Sequence, residues 1–345
     1  MPDVTLEGRV RTDMEDEKIS ASTGGVSRHR GLLEVTVSRR SRETADVALI
    51  ELVATGAEKL PVFTAGSHID MHLPNGLIRQ YSISNDPAES GLYRLGVLLT
   101  ARSRGGSRSA HALRAGEIIK IGQPRNHFGL FETAKKTVLV GGGIGITPLM
   151  SMSYRLHSIG ASFELIHCSR SRVKAAFLKR LSTTAFAPNI RWCFDNADGS
   201  TSFDPQTLPQ PDLGTHLYVC GPAGFMNYVV SAAEKAGWSK SSIHIESFEP
   251  SLPGEDDLEF TVIAKRSGKT ITVRSNQSMA QALREAGIPV TVSCEQGICG
   301  TCLVPVLDGV PEHRDRYQSD LELSTNSLVA LCCSRSKSKT LVLDI

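Results

Sequence analysis

Three kinds of hydrophobic pattern follow one another along this chain. From Leu32, the stretch LLEVTVSRRSRETADVALIELVA carries EVTVS and ALIELVA around a polar turn, the texture of half-buried strands. PVFTAGSHIDMHLPNGLIRQYSI and GLYRLGVLLTA continue it, with turn signals at AGS and PNG. Short alternating strands between turns predict a small antiparallel β-barrel over residues 31–131. The second pattern opens at KTVLVGGGIGITPLMSMSYRLHSIG, where an apolar strand, Val138 to Val140, meets a glycine run and then a helix from about Thr147. FELIHCSRS reads as a second buried strand, AAFLKRLST as a helix and THLYVCGPAGFMNYVVSAAEKAG as another strand–turn–helix. Strands alternating with helices predict an α/β domain with a parallel sheet over 132–248. EPSLPGEDD, rich in Pro, Gly and acid, predicts a linker over 249–257. Beyond it, LEFTVIAKRSGKTITV predicts a hairpin and MAQALREAG a short helix ended by Gly287, within a C-terminal α+β domain over 258–345.

Composition changes this picture little. The chain has 345 residues, 40% hydrophobic and 21% charged, with a formal net charge of +2. That is an ordinary globular composition for two or three domains, with no global pull toward nucleic acid or membrane. No run of 18 apolar residues is present, so no membrane-spanning helix is expected. Residues 1–30 are polar, mixed in charge and without an apolar signal region. They are expected to form a mobile tail, or to reflect a start codon assigned too far upstream. The expected location is the cytoplasm, where clustered cysteines more often bind metal than pair as disulfides.

The chain has eight cysteines, and three of them fall in CEQGICGTC. The spacing is Cys294-x4-Cys299-x2-Cys302, with Cys332 after 29 more residues. Four thiolates hold a [2Fe–2S] cluster, and C-x4-C-x2-C…C is the plant-type ferredoxin spacing. A loop of this kind must wrap one edge of the cluster, and Gly297 and Gly300 permit the tight backbone it needs. Structural zinc prefers paired C-x2-C knuckles, which are absent. Cys333 competes with Cys332 for the fourth position; Cys332 is preferred because the following CSR is expected in a strand leading away. Cys168, Cys193 and Cys220 are isolated in sequence and read first as buried small hydrophobes. His313-Arg314-Asp315 matches the start of a kinase catalytic loop, but the required Asn is Asp320 and no kinase Gly-rich loop precedes it. The segment is expected to be a polar loop of the cluster domain.

Two turns carry nucleotide signals. GGGIGITP (Gly141 to Pro148) follows a strand and opens a helix, where backbone N–H groups attract phosphate. It is not the G-x-G-x-x-G order. CGPAGFM (Cys220 to Met226) repeats the design, and two such turns at one sheet edge can flank a single ligand. In the barrel, RQYS (Arg79 to Ser82) and RGGSRSAH (Arg104 to His111) together offer a second phosphate cradle.

The order RQYS, GGS, GGGIGITP, CGPAGFM, ESF and then a plant-type ferredoxin pattern resembles the phthalate dioxygenase reductase family, the flavin-containing reductases of two-component Rieske oxygenases. The resemblance covers nearly the whole chain after the tail. It implies a flavin-binding barrel, a nicotinamide-nucleotide domain and a ferredoxin domain. It implies FMN contacts at Arg79, Tyr81 and Ser82, with Ser82 near the reactive ring edge, and phosphate contacts at Gly105, Gly106 and Ser107. Gly142, Gly143 and Thr147 then line the nicotinamide site, with Cys220, Gly221 and Pro222 opposite. Ser82, Thr147 and Cys220 are the residues expected nearest the chemistry. Phe248 packs on the flavin ring by this resemblance, or else is a core aromatic. The departures are the N-terminal tail and the Cys332-Cys333 doublet.

The three modules also belong together by chemistry. Nicotinamide releases a hydride, a plant-type cluster near about −400 mV accepts one electron, and a flavin exchanges both. Positioning residues rather than a catalytic triad are therefore expected. The family implies NADH. NADPH stays open, since Arg170 and Arg172 follow the second strand where a 2′-phosphate is held in related folds. The expected partner is a Rieske-type oxygenase, bound transiently, and the expected docking rim is Cys294–Cys302 with Glu295 and Gln296. The same cofactors also suit a cytochrome or diiron monooxygenase as acceptor. A non-enzymatic redox sensor is disfavoured because no ligand cysteine or flavin motif is missing.

Overall fold

The computed structural model describes residues 31–56, 59–100, 105–195, 202–248, 257–292, 295, 297, 300–315 and 317–345. The N-terminal tail, Arg104, most of the linker, Cys294, Gln296 and Cys299 lie outside the described residues.

The first module contains β1 (Leu33–Arg42), β2 (Val47–Ala54), β3 (His68–His72), β4 (Ile78–Ser82), β5 (Tyr93–Leu98), α1 (Gly106–Ala112) and β6 (Ile118–Ile121). The sheet order is β4-β3-β6-β1-β2-β5. An antiparallel bridge, Ile83 to Leu95, joins the two edges and closes the barrel. Val35, Val37, Ile50, Leu52, Ile69, Met71 and Leu95 fill its interior, each fully buried.

The second module contains β7 (Lys136–Gly142), α2 (Ile146–Ser158), β8 (Phe163–Ser169), α3 (Leu178–Leu181), β9 (Ile190–Phe194), β10 (Thr215–Cys220), α4 (Ala223–Lys235) and β11 (Ile243–Glu246). Every strand pair in it is parallel, in the order β11-β10-β7-β8-β9. The sheet is covered on both faces, as parallel sheets require. Leu139, Leu165 and Tyr218 pack with α2, whereas Val138, Val140, Leu217 and Val219 pack with Met226 and Val229 of α4. The chain lays down β8 and β9 on one side of β7, then returns to lay down β10 and β11 on the other. The topological switch point therefore lies between β7 and β10.

AAFLKRLST is helical only over Leu178–Leu181. Phe177 stops the helix from starting earlier: it sits at φ 62°, its ring is fully buried and its N–H donates to Glu43 Oε1 at 2.8 Å. A tertiary anchor overrides local helix propensity here. The same core joins the first two modules. Val47 and Leu49 of β2 pack with Leu149 and Met152 of α2 and with Phe177. The Tyr218 hydroxyl accepts from Phe131 N–H at 2.8 Å.

The third module contains β12 (Phe260–Ala264), β13 (Lys269–Val273), α5 (Met279–Glu285), β14 (Leu303–Asp308), β15 (Pro311–Glu312), α6 (Asp320–Ser324), β16 (Leu328–Ala330), β17 (Arg335–Ser336) and β18 (Thr340–Leu343). Its main sheet runs β13-β12-β18-β14-β16, with β12 and β18 parallel. The expected hairpin is present as β12–β13. Met279, Ala282 and Leu283 of α5 are buried on this sheet. Asp257, assigned to the linker by composition, is bound into this module: it accepts from Arg314 Nη1 at 2.8 Å and Nη2 at 2.5 Å. Among the described residues no helix is long and apolar enough to cross a membrane.

Candidate functional site

The barrel and the parallel sheet enclose one cleft of about 1210 Å³. β4 supplies Arg79, Gln80, Tyr81 and Ser82 to its wall. Ser82 is buried and lies opposite His68 in the β3–β4 register, so both side chains share a face, and both line the cleft. Burial pushes the Tyr81 phenol up to about 12, against the opposing pull of Arg79, so it remains a neutral hydrogen-bond donor. The Arg79 side chain lies against the start of α1: a Cβ on Gly106 would fall 2.6 Å from Arg79 Nε. Gly106 and Ser107 line the cleft beside it. Asn75 Nδ2 donates to the Gly105 carbonyl at 3.2 Å and fixes the turn before α1.

The opposite wall is built at the switch point. Gly142, Gly143 and Thr147 line it from the β7–α2 turn, and Gly221 and Pro222 from the β10–α4 turn. Thr147 is buried and donates to the Ile144 carbonyl at 3.0 Å. These glycines serve packing as well as ligand access. A Cβ on Gly145 would lie 2.3 Å from the Cys220 carbonyl oxygen, so the two turns touch backbone to backbone. Cys220 itself is fully buried in the core, and the cleft is lined by its two successors. Phe248 is 38% exposed and lines the cleft, which removes the core-aromatic reading.

At the carboxyl ends of β8 and β9 the cleft is lined by Ser169, Arg170 and Asp195. Arg172 instead stacks on Phe194, 5.2 Å from the ring centroid. Asp195 went unnoticed in the sequence, since it follows the third strand rather than the second, where an acid would have been sought. Cys168 and Cys193 are buried as expected, but they are not isolated: they face each other in the β8–β9 register.

In the third module, Cys302 and Cys332 are both buried, and the Leu331 N–H donates to the Cys302 carbonyl at 3.2 Å. The last loop cysteine thus lies beside the segment that carries the candidate fourth ligand. Gly297 and Gly300 adopt φ 73° and 70°, the tight left-handed backbone expected of a cluster loop. A Cβ on Gly297 would meet Cys333 Sγ at 2.5 Å, and one on Gly300 would meet the Tyr317 ring at 2.5 Å. Cys333 does not lead away in a strand; β17 begins only at Arg335, and Cys333 packs beneath the loop with 1% exposure. The described residues from His313 to Gln318 form neither helix nor strand, as expected of a polar loop, but Asp315 and Gln318 in it are buried. Glu295 makes an ion pair with Arg284 at 3.8 Å.

The cleft and the switch-point turns fit a flavin and a nicotinamide nucleotide, and of the four candidate cluster ligands Cys302 and Cys332 are among the described residues. Residues 262–337 match the 2Fe-2S iron–sulfur cluster binding domain, and residues 122–243 match the N-terminal domain of dimethylamine monooxygenase subunit DmmA-like proteins. The chain is 42% identical to a vanillate O-demethylase oxidoreductase of Pseudomonas sp. strain HR199, over 91% of this chain and all of that relative. The chain belongs to the phthalate dioxygenase reductase family. It superposes on phthalate dioxygenase reductase, a modular structure for electron transfer from pyridine nucleotides to [2Fe–2S], with a TM-score of 0.68 and 33% identity, covering 91% of this chain and 98% of the other. It also matches an intact type IV self-sufficient cytochrome P450 monooxygenase, with a TM-score of 0.75 and 36% identity over 91% of this chain and 41% of that one. As a member of the family, the protein is a flavin- and iron–sulfur-dependent oxidoreductase; its relatives include a phthalate 4,5-dioxygenase reductase subunit, 35% identical over 91% of this chain.

Proposed function

We propose that this protein is an NADH-dependent reductase that supplies a separate Rieske-type oxygenase, acting on an aromatic or related small substrate, through FMN and a [2Fe–2S] cluster. The observation that carries the reading is the single cleft shared by the β4 wall and the two switch-point turns, on a chain that also holds a ferredoxin module. Bound flavin supplies the conversion from two-electron to one-electron transfer. The chain's own residues bind and orient. Arg79, with the Gly105–Ser107 turn, takes the FMN phosphate. Tyr81 donates its phenol, Ser82 sits by the reactive ring edge and Phe248 covers the ring. Gly142, Gly143, Thr147, Gly221 and Pro222 seat the nicotinamide half, and Cys220 acts through the backbone it lends to that turn. Cys294, Cys299, Cys302 and Cys332 hold the cluster. The three modules span 31–131, 132–248 and 258–345.

NADH rather than NADPH is supported by Asp195, an acid that lines the cleft together with Arg170, and by the engagement of Arg172 with Phe194. Asp195→Asn is expected to lower the ratio of kcat/KM for NADH to that for NADPH by about tenfold, the effect of about 1.4 kcal/mol of lost discrimination. An unchanged ratio removes Asp195 from that role. A cytochrome P450 as acceptor is a second reading, favoured by the likeness to the self-sufficient P450. Acceptor trials separate the two. The protein, with NADH, is presented anaerobically with the oxygenase component of a vanillate O-demethylase and, in parallel, with a P450. Rapid reduction of the Rieske centre alone supports the first reading; rapid reduction of the haem alone overturns it.

A further inference from the structure

Asp315 and Tyr317, in the stretch set aside in the sequence as kinase-like, pack against Gly297 and Gly300 of the cysteine loop. Asp315 is 7% exposed, and its side chain is wholly buried. A Cβ on Gly297 would lie 3.0 Å from Asp315 Cα and 3.2 Å from its Cβ, so Asp315 packs directly behind Gly297. Its carboxylate accepts from Gln318 N–H at 3.2 Å and from Gln318 Nε2 at 3.3 Å. The Ser334 hydroxyl donates to it at 3.4 Å, two residues beyond Cys332, and Arg314 N–H donates to that same hydroxyl at 3.1 Å. His313 Nδ1 stands 3.9 Å away. Among the described residues each of its hydrogen-bond partners is a neutral donor. Among the described residues no Lys or Arg pairs with it: the Arg314 guanidinium is engaged by Asp257 and Glu312, and Arg335 by backbone carbonyls.

We propose that Asp315 is a positioning residue for the iron–sulfur cluster, tying Gly297 of the cysteine loop to the Cys332 segment through Ser334 and holding the cluster's reduction potential low with a buried carboxylate that no described Lys or Arg pairs with. This rests on the cysteine assignment proposed above. A negative charge in a low-dielectric site opposes the arrival of an electron, and charge, hydrogen bonding and burial are the levers by which a protein tunes such a cluster. The carboxylate therefore keeps the reduced cluster a strong donor, while its neutral donors keep it in place.

The test is a mediated redox titration of the full chain, with the reduced cluster read by EPR. It needs neither NADH nor an acceptor, so it is independent of the nucleotide and partner readings. In Asp315→Asn, at the potential where the unsubstituted cluster is half reduced, the reduced-to-oxidised ratio is expected to rise about tenfold, a shift of about 59 mV to the positive for one electron. Ser334→Ala keeps the carboxylate but removes a donor that offsets it, so its shift is expected to be negative. Opposite signs mark an electrostatic role, because simple loosening of the loop would move both variants the same way. An unshifted Asp315→Asn, or shifts of the same sign, overturns the proposal. If Asp315→Asn assembles no cluster, a Ser334→Ala potential that is unchanged or positive overturns it alone. Absence of any cluster signal in the unsubstituted protein overturns the cysteine assignment and this proposal with it.

Discussion

At the level of single residues, the two loop glycines differ in what surrounds them. An added methyl at Gly297 meets Cys333 Sγ and the Asp315 backbone, neither of which can swing aside. At Gly300 it meets the Tyr317 ring, which is 37% exposed and can turn outward. Both positions also carry the left-handed penalty of about 1–2 kcal/mol. Gly297→Ala is therefore expected to lose most of its iron per chain and Gly300→Ala much less, measured by iron analysis of the purified variants; equal losses contradict this packing. A second residue-level expectation concerns His167, fully buried on β8, whose ring burial pushes down to about 4. The unfolded chain takes up this proton near pH 6.5, so stability falls as pH drops from about 6.5 to about 4, by at most about 1.4 kcal/mol per pH unit for this group. Urea midpoints measured across that range are expected to fall less steeply in His167→Gln. The tight backbone at Gly297 and Gly300 was legible in the sequence because the spacing of a ferredoxin-type loop demands it. Asp315 was not, because a polar residue in a polar stretch reveals nothing about folding onto a loop 18 residues earlier in the chain.

Elements with a strong period were legible in the same way: the barrel strands, β7 to α2, and β10 to α4 follow from alternation and from apolar runs. AAFLKRLST was not, because the buried Phe177 is held in a left-handed conformation by Glu43, a contact across 134 residues that no window of local sequence contains. The entry to the ferredoxin module was hidden for a similar reason. Asp257 reads as one more acid in a Pro- and Gly-rich stretch, yet it pairs with Arg314, which also holds Glu312 at 2.7 Å. These side chains are partly buried, between the regimes of surface and buried pairs. Arg314→Ala is expected to cost about 1–3 kcal/mol, read as a lower urea midpoint for the unfolding phase that reports the cluster's absorbance. At the rim of the same module, Glu295→Lys reverses a charge beside the cysteine loop. It is expected to alter the rate of acceptor reduction and leave NADH oxidation by the flavin unchanged; equal loss of both removes the rim from the docking surface.

Across the whole molecule, the cleft is fixed because the barrel and the parallel sheet share one core, through Val47 and Leu49 on one side and Leu149 and Met152 on the other. The β4 wall and the switch-point turns therefore face each other across the cleft. The order of motifs along the chain made this architecture legible, whereas the shared core was not, since its residues come from two patterns that each look self-sufficient. The measurement that bears most directly on the proposed electron path is an anaerobic titration of the purified protein with NADH, followed by absorbance and EPR. Flavin bleaching accompanied by the rhombic signal of a reduced [2Fe–2S] cluster is the expected result. Flavin bleaching with no cluster signal, however much NADH is added, would contradict it.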